Sequence, residues 1–166
     1  MHKVRAFFEI HIEQGPVLDE SGEDIGIVTG IVGLLRCIAN VDGRSDHAGT
    51  TPMNMRKDAI LIASKAISEL DRIAREEKNG SVATCGFIRA YPNAMNVVAG
   101  KCEFTMDIRS PQDASVERMK KKIWQLLDRE TEAVDAKWDV DIKLRQPAVT
   151  MSPELVSILS EKCEEH

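Results

Sequence analysis

Aromatic side chains are scarce in this sequence, at 4% of 166 residues. That weighs against a sheet-based RNA binder, which stacks bases on exposed rings within a basic surround. A basic excess is missing too: 22 lysines and arginines stand against 27 aspartates and glutamates, for a net charge of −5. A broad phosphate-binding surface is therefore not expected, and nucleic acid is set aside as a partner. The one basic run, Lys120-Lys121-Lys122, is followed by Asp128, Glu130 and Glu132 and reads as a solvated helix face. No apolar stretch approaches the ~18 residues that span a bilayer, so no membrane partner is expected. The opening Met1-His2-Lys3-Val4-Arg5 lacks the apolar core and cleavage site of a signal peptide, which makes the cytoplasm the expected location. The cysteines, Cys37, Cys85, Cys102 and Cys163, form no C-x-x-C pair. They read as buried thiols in a reducing compartment rather than a disulfide or structural zinc framework.

What is present is periodicity. Residues 5–13 alternate, with Phe8, Ile10 and Ile12 on one face and Phe7, Glu9, His11 and Glu13 on the other, which predicts a strand ended by Gly15-Pro16. A second short strand is expected over Ile25–Ile31 after a turn at residues 21–24. From residue 33 a self-contained unit begins. Leu35, Cys37, Ala39 and Val41 alternate inward on a strand. Thr51, with Pro52 behind it, can cap a helix whose apolar stripe is Ala59, Ile62, Ala63, Ala66, Ile67, Leu70 and Ile73, stopped by Asn79-Gly80. Two strands, 81–91 and 97–109, follow; the latter turns Cys102, Phe104, Met106 and Ile108 one way. A second helix carries Val116, Met119, Ile123, Leu126, Leu127 and Val134, and a last strand over 138–144 is expected to bury Trp138, Val140, Ile142 and Leu144. The order βαββαβ predicts an α+β fold of the ferredoxin-like type, a four-stranded antiparallel sheet with two helices on one face. Residues 1–31 and 146–166 do not complete a second core, and the apolar Leu155, Val156, Ile158 and Leu159 read as a helix in want of a partner surface.

Candidate site residues are few. His11 shares a strand face with Glu9 and Glu13, which suits a metal ligand with a carboxylate behind it. Alone it is more simply a surface histidine, because a catalytic zinc needs about three protein ligands. His47, in Asp46-His47-Ala48-Gly49-Thr50-Thr51-Pro52-Met53, is open between a solvated loop histidine and a donor to a carbonyl turning into an oxyanion. Arg109 and Asn96, at the end and start of one strand, could together hold a small carboxylate. Local chemistry favours the plainer alternative, in which Arg109 pairs with Asp107 or Asp139 and Asn96 serves the turn.

Taken together these strings are specific. Glu9-Ile10-His11-Ile12-Glu13-Gln14-Gly15-Pro16, Gly26-Ile27-Val28-Thr29-Gly30-Ile31, the Asp46–Met53 string, Arg56-Lys57-Asp58-Ala59, Asn96-Val97-Val98-Ala99-Gly100 and Asp107-Ile108-Arg109 occur in order along nearly the whole chain. In them the sequence resembles the allantoate amidohydrolase / N-carbamoyl-L-amino-acid hydrolase family. The resemblance implies an α/β metallopeptidase-like catalytic domain interrupted by a ferredoxin-like lid that dimerises. Residues 1–31 would then be a remnant of the catalytic domain, 32–145 the lid, and 146–166 the return segment. It implies two divalent metals per site (zinc, manganese or cobalt), a water activated between them, and a small ureido or amide substrate bearing a carboxylate. By position, His11 resembles a metal ligand, Gln14 a substrate contact, His47 the lid histidine that stabilises the tetrahedral intermediate in a partner subunit's site, and Asn96 and Arg109 the residues that grip the substrate carboxylate. The family's other metal ligands would lie outside these 166 residues, so the chain by itself is expected neither to hold a tight dinuclear site nor to turn over substrate. A metallo-exopeptidase or aminoacylase lid, and a non-catalytic ferredoxin-like module, are the competing readings.

Overall fold

The structure is a computed structural model that describes residues 3–164; His2 and His166 lie outside the described residues. The chain divides into two compact units, Gly30–Thr150 and a smaller one made of Met1–Thr29 with Met151–His166.

The smaller unit holds a five-residue helix, α1 (Val17–Ser21). Glu13 caps it by accepting the Val17 and Leu18 N–H groups at 2.9 and 3.1 Å, and Gly22 ends it at φ 73. The strand expected over residues 5–13 does not form: no ladder includes them among the described residues, and Phe7, Phe8, Ile10 and Ile12 stay exposed. Alternation marks a face but supplies no neighbour, and backbone N–H and C=O groups without a neighbour make no sheet.

The larger unit opens with β1 (Gly30–Ile31), all that forms of the strand expected over residues 25–31. Then come β2 (Gly33–Asp42) and β3 (Asp46–His47). Pro52 starts only a 3₁₀ turn, Met53–Met55. The helix α2 (Ala59–Ser68) is capped by Asp58, whose carboxylate accepts the Ile60 and Leu61 N–H groups, and not by Thr51 as the sequence suggested. Nor is the helix continuous. It tightens at Glu69, whose N–H reaches the Ala66 carbonyl, and resumes as α3 (Leu70–Arg75). Strands β4 (Val82–Thr84), β5 (Ile88–Tyr91), β6 (Val97–Val98) and β7 (Lys101–Ser110) follow, then α4 (Asp113–Glu132), β8 (Lys137–Gln146) and β9 (Val149–Thr150). The smaller unit resumes with α5 (Pro153–Glu164), which buries no residue.

Strands β4, β7, β2 and β8 form one antiparallel sheet in that order, and β5 pairs with β7 beside β4. Thr84 faces Asp107 and Ile88 faces Phe104, so three residues bulge opposite two. Thr105 holds the bulge: its Oγ1 accepts the Gly86 and Phe87 N–H groups, each at 3.0 Å. The inward residues of β2 and β7 pack with Ile62, Ala66, Leu70 and Ile73 of α2 and α3, and with Val116, Met119, Ile123 and Leu127 of α4, in one core. Each large side chain so buried contributes roughly 1.5–3 kcal/mol. The opposite sheet face is open. On edge strand β8 a register shift opposite Arg36 and Cys37 interrupts the alternation, and Ile142, expected inside, is half exposed.

Candidate functional site

One cluster lies where β2 ends and β7 begins. The two-residue strands β3 and β6 pair, setting His47 opposite Val97 and Asp46 opposite Val98. The Ala48 N–H donates to the Asn96 carbonyl at 2.9 Å. His47 and Asn96, far apart in sequence, are thereby brought side by side, both exposed. The loop beneath is compact: a Cβ on Gly43 would stand 1.9 Å from the Lys57 carbonyl oxygen, and one on Gly100 would stand 2.4 Å from Ser45 Oγ. Glycine is required at both close approaches.

A second cluster lies at the other end of β7. Arg109 donates from Nε and Nη2 to the two oxygens of Asp107, at 2.7 and 2.9 Å. Directly across the ladder, Arg36 donates from Nε to the same carboxylate at 2.7 Å. Arg109 first, and Arg36 with it, hold the Asp107 carboxyl below the usual aspartate range. Two guanidinium groups share one carboxylate, which leaves positive charge over an open-face hollow of about 570 Å³ lined by Thr84, Thr105 and Lys143 as well. The pairing of Arg109 with Asp107 is the plainer sequence reading, and a bidentate fork also presents the guanidinium in a fixed plane. Arg109 does not meet Asn96 or His47. Eight residues of strand separate Lys101 from Arg109, about 27 Å at the rise of an antiparallel strand.

The smaller unit carries His11 and Gln14, both exposed. His11 directs Nδ1 at the Ile12 carbonyl oxygen, 2.6 Å away. A carbonyl only accepts, so Nδ1 carries the proton and Nε2 is the nitrogen free to bind. Gln14 adopts φ 58, a left-handed conformation rare for a residue with a side chain. No three histidine, cysteine, aspartate or glutamate side chains come together among the described residues in a way that could hold a metal ion. Glu13, which shares the strand face of His11 in the sequence pattern, is occupied in capping α1. The described residues therefore do not by themselves fit a resident metal.

Sequence reasoning missed Arg56, which bonds the Ala48 and Thr51 carbonyls of the His47 loop, and Arg36, the second guanidinium on Asp107. Asp107 was legible, two residues before Arg109 on the same strand face; Arg56 left no comparable signal.

Residues 29–135 match the model of the M20 peptidase dimerisation domain. The chain belongs to that family. The dimerisation domain thus covers both clusters, that of His47 and Asn96 and that of Arg109, and leaves His11 and Gln14 outside. Across a longer span the chain is 39% identical to an N-carbamoyl-L-amino-acid amidohydrolase of Paenarthrobacter aurescens, over 95% of this chain and 38% of that protein. It is also 39% identical to the allantoate amidohydrolase of Escherichia coli, over 97% of this chain and 39% of that one. In structure it matches a hydantoinase/carbamoylase family amidase from Burkholderia multivorans with a TM-score of 0.89 at 32% identity, covering 93% of this chain and 38% of that chain. The chain thus spans about two fifths of the length of these relatives.

Proposed function

We propose that this chain is the lid and dimerisation part of a metal-dependent amidohydrolase that cleaves linear amide or ureido C–N bonds in small carboxylates of the allantoate or N-carbamoyl-L-amino-acid type. Residues 1–31 and 146–166 belong, in this reading, to the catalytic domain of the parent enzyme, and 32–145 to a ferredoxin-like lid, with β4 and β5 counted as one interrupted strand. The enzyme works in the cytoplasm, where the buried thiols of Cys37 and Cys102 stay reduced.

The observation that carries the reading is the separation of the two clusters. A donor histidine with an amide beside it lies where β7 begins, and a guanidinium held in a carboxylate fork lies near its other end, past about 27 Å of strand from Lys101 to Arg109. One small substrate cannot touch both in the same subunit. A symmetric dimer resolves this, because each site takes His47 and Asn96 from one subunit and Arg109 from its partner. The two sheet edges suit such a dimer unequally. Charged residues recur along β8, at Lys137, Asp139, Asp141, Lys143 and Arg145, a pattern that discourages pairing. Strand β5 exposes Ile88 and Tyr91, and α2 exposes Ile60 and Leu61, so a second copy adds along β5. His11, with Nε2 free, serves as one ligand of a metal whose other ligands the parent supplies; such a metal would activate the attacking water.

In the parent enzyme, His47→Ala removes an oxyanion donor and lowers kcat by roughly 10²–10³-fold, and Arg109→Ala raises KM for the carboxylate. Mixed dimers of the two variants should regain roughly a quarter of wild-type activity, because half the dimers are mixed and each holds one intact site. Mixtures as inactive as the separate variants would reject the shared site.

A further inference from the structure

Just after the His47 loop stands a side chain, Arg56, whose partners among the described residues are carbonyls of that loop. Arg56 is half-buried. Its Nη2 donates to the Ala48 carbonyl at 2.6 Å and its Nε to the Thr51 carbonyl at 3.0 Å. No ion pair of the described residues engages Arg56. An arginine that spends its fork on neutral carbonyls gives up the stronger partner that a carboxylate would be, so what it gains is geometric.

The geometry concerns the ring of His47. The two clamped carbonyls flank Gly49-Thr50, and the Thr51 N–H returns to the His47 carbonyl at 3.2 Å, closing a turn. Inside that turn the Gly49 N–H donates to His47 Nδ1 at 3.1 Å. A backbone amide only donates, so Nδ1 must be the unprotonated nitrogen and Nε2 must carry the hydrogen of the neutral ring. Gly49 also makes room, since a Cβ there would stand 3.2 Å from Cε1 and 3.5 Å from Nδ1 of the same ring. The other side of the loop is fixed by Ala48 on Asn96 and by Arg44, whose Nε bonds Asp46 and whose Nη2 bonds the Met55 carbonyl.

We propose that Arg56 is a positioning residue for His47: it clamps the 48–51 turn so that the Gly49 amide selects the Nε2–H form of the ring and holds that N–H outward as a donor. This rests on the reading of His47 as an oxyanion donor, which needs a hydrogen on the outward nitrogen. It goes further by naming the residues that keep the hydrogen there. Without the clamp, Gly49 is free to rotate its amide away, and the ring samples both tautomers and several orientations.

The test is nitrogen-15 NMR of the His47 ring in the 166-residue chain, with the ring neutral. In the wild type, the ratio of Nε2–H to Nδ1–H should exceed that of the urea-unfolded chain by roughly fivefold, the worth of one net hydrogen bond. Arg56→Ala should return it toward the unfolded ratio, and added guanidinium ion should restore the bias. Gly49→Ala should lose the bias by displacing the ring. An Arg56→Ala chain that keeps the wild-type ratio overturns the proposal. Should that variant unfold, Arg56→Lys decides: an ammonium cannot form the planar fork that serves both carbonyls, so a reduced ratio supports the clamp and an unchanged one overturns it. A purely structural Arg56 would alter stability without altering the tautomer ratio of the folded chain. Turnover by His47→Ala in the parent enzyme is a separate readout. If Arg56→Ala leaves the ring unchanged while His47→Ala abolishes turnover, the clamp is rejected and the functional reading stands. If the clamp behaves as described while His47→Ala leaves turnover intact, the clamp stands and the functional reading falls.

Discussion

Residues 5–13 and β2 carry the same alternating pattern and meet opposite fates. In β2, Leu35, Cys37, Ala39 and Val41 are buried, and the strand is bonded on one side by β7 and on the other by β8. In residues 5–13, Phe8, Ile10 and Ile12 sit on one face just as regularly, yet Ile10 is fully exposed and no strand of the described residues lies alongside. Period-2 alternation specifies which face seeks burial; it is silent on whether a partner exists. The partners of β2 lie in the same chain, at Lys101–Ser110 and Lys137–Gln146. The largest expected effect is therefore in the β2–β7 sandwich. Phe104, wholly buried, contacts the core from the middle of β7. Phe104→Ala should cost about 3–5 kcal/mol, a large share of the roughly 5–15 kcal/mol that stabilises a domain. Urea unfolding followed by circular dichroism measures this. A loss under about 1 kcal/mol would mean that the sandwich is not the seat of stability.

The thiols sharpen the same contrast. Cys37 on β2 and Cys102 on β7 are buried, while Cys163 on α5 of the smaller unit is exposed. Burial pushes both core thiols up to about 11 from an ordinary 9.0. The sign follows from proton uptake. Between these values the folded state holds protons that the unfolded state has released, so the stability gained from neutral thiols is complete below about pH 9 and is lost as pH rises through about 11. At 1.36 kcal/mol per unit, each thiol sets a ceiling of about 2–3 kcal/mol. Urea midpoints should fall from about pH 8.5 to about pH 10.5, and the Cys37→Ala/Cys102→Ala chain should lose most of that slope. An alkaylating reagent should label Cys163 in the native chain and reach Cys37 and Cys102 only after unfolding. Rapid native labelling of either core thiol would break the comparison.

Much of the larger unit was legible in advance because its signals are long. The ten-residue alternations of β2 and β7 and the stripe from Val116 to Leu127 leave one economical packing. Short features were not legible. Thr51 with Pro52 looks like a helix start, but Asp58 stands one residue before Ala59 and its carboxylate reaches two free amides; the chain between follows a 3₁₀ turn that no periodicity reveals. At the candidate site, the strings around His47 and Asn96 identified the residues. Their adjacency depends on β3 and β6, two residues each, too short for alternation to show. Asn96 and Arg109 read as the start and end of one strand, but Asn96 precedes β6, which leaves the main sheet to pair with β3, while Arg109 sits near the far end of β7. Asp107 was legible as a counter-ion to Arg109, but its second guanidinium, Arg36, comes from a strand 71 residues away and needs the register of β2 on β7.

The smallest expected effect is the most searching one for the comparison. Phe8→Ala removes the same atoms as Phe104→Ala, from a side chain that is 58% exposed on a segment without a ladder. Half its area already meets water in the folded chain, and truncation leaves no cavity to line, so the change should stay within about 0.5 kcal/mol of zero. Measured in the same urea titration, the two phenylalanines separate burial from composition. Should Phe8→Ala cost as much as Phe104→Ala, the alternation in residues 5–13 has found a partner in solution, and concentration tells which: a cost that vanishes on dilution points to a second copy.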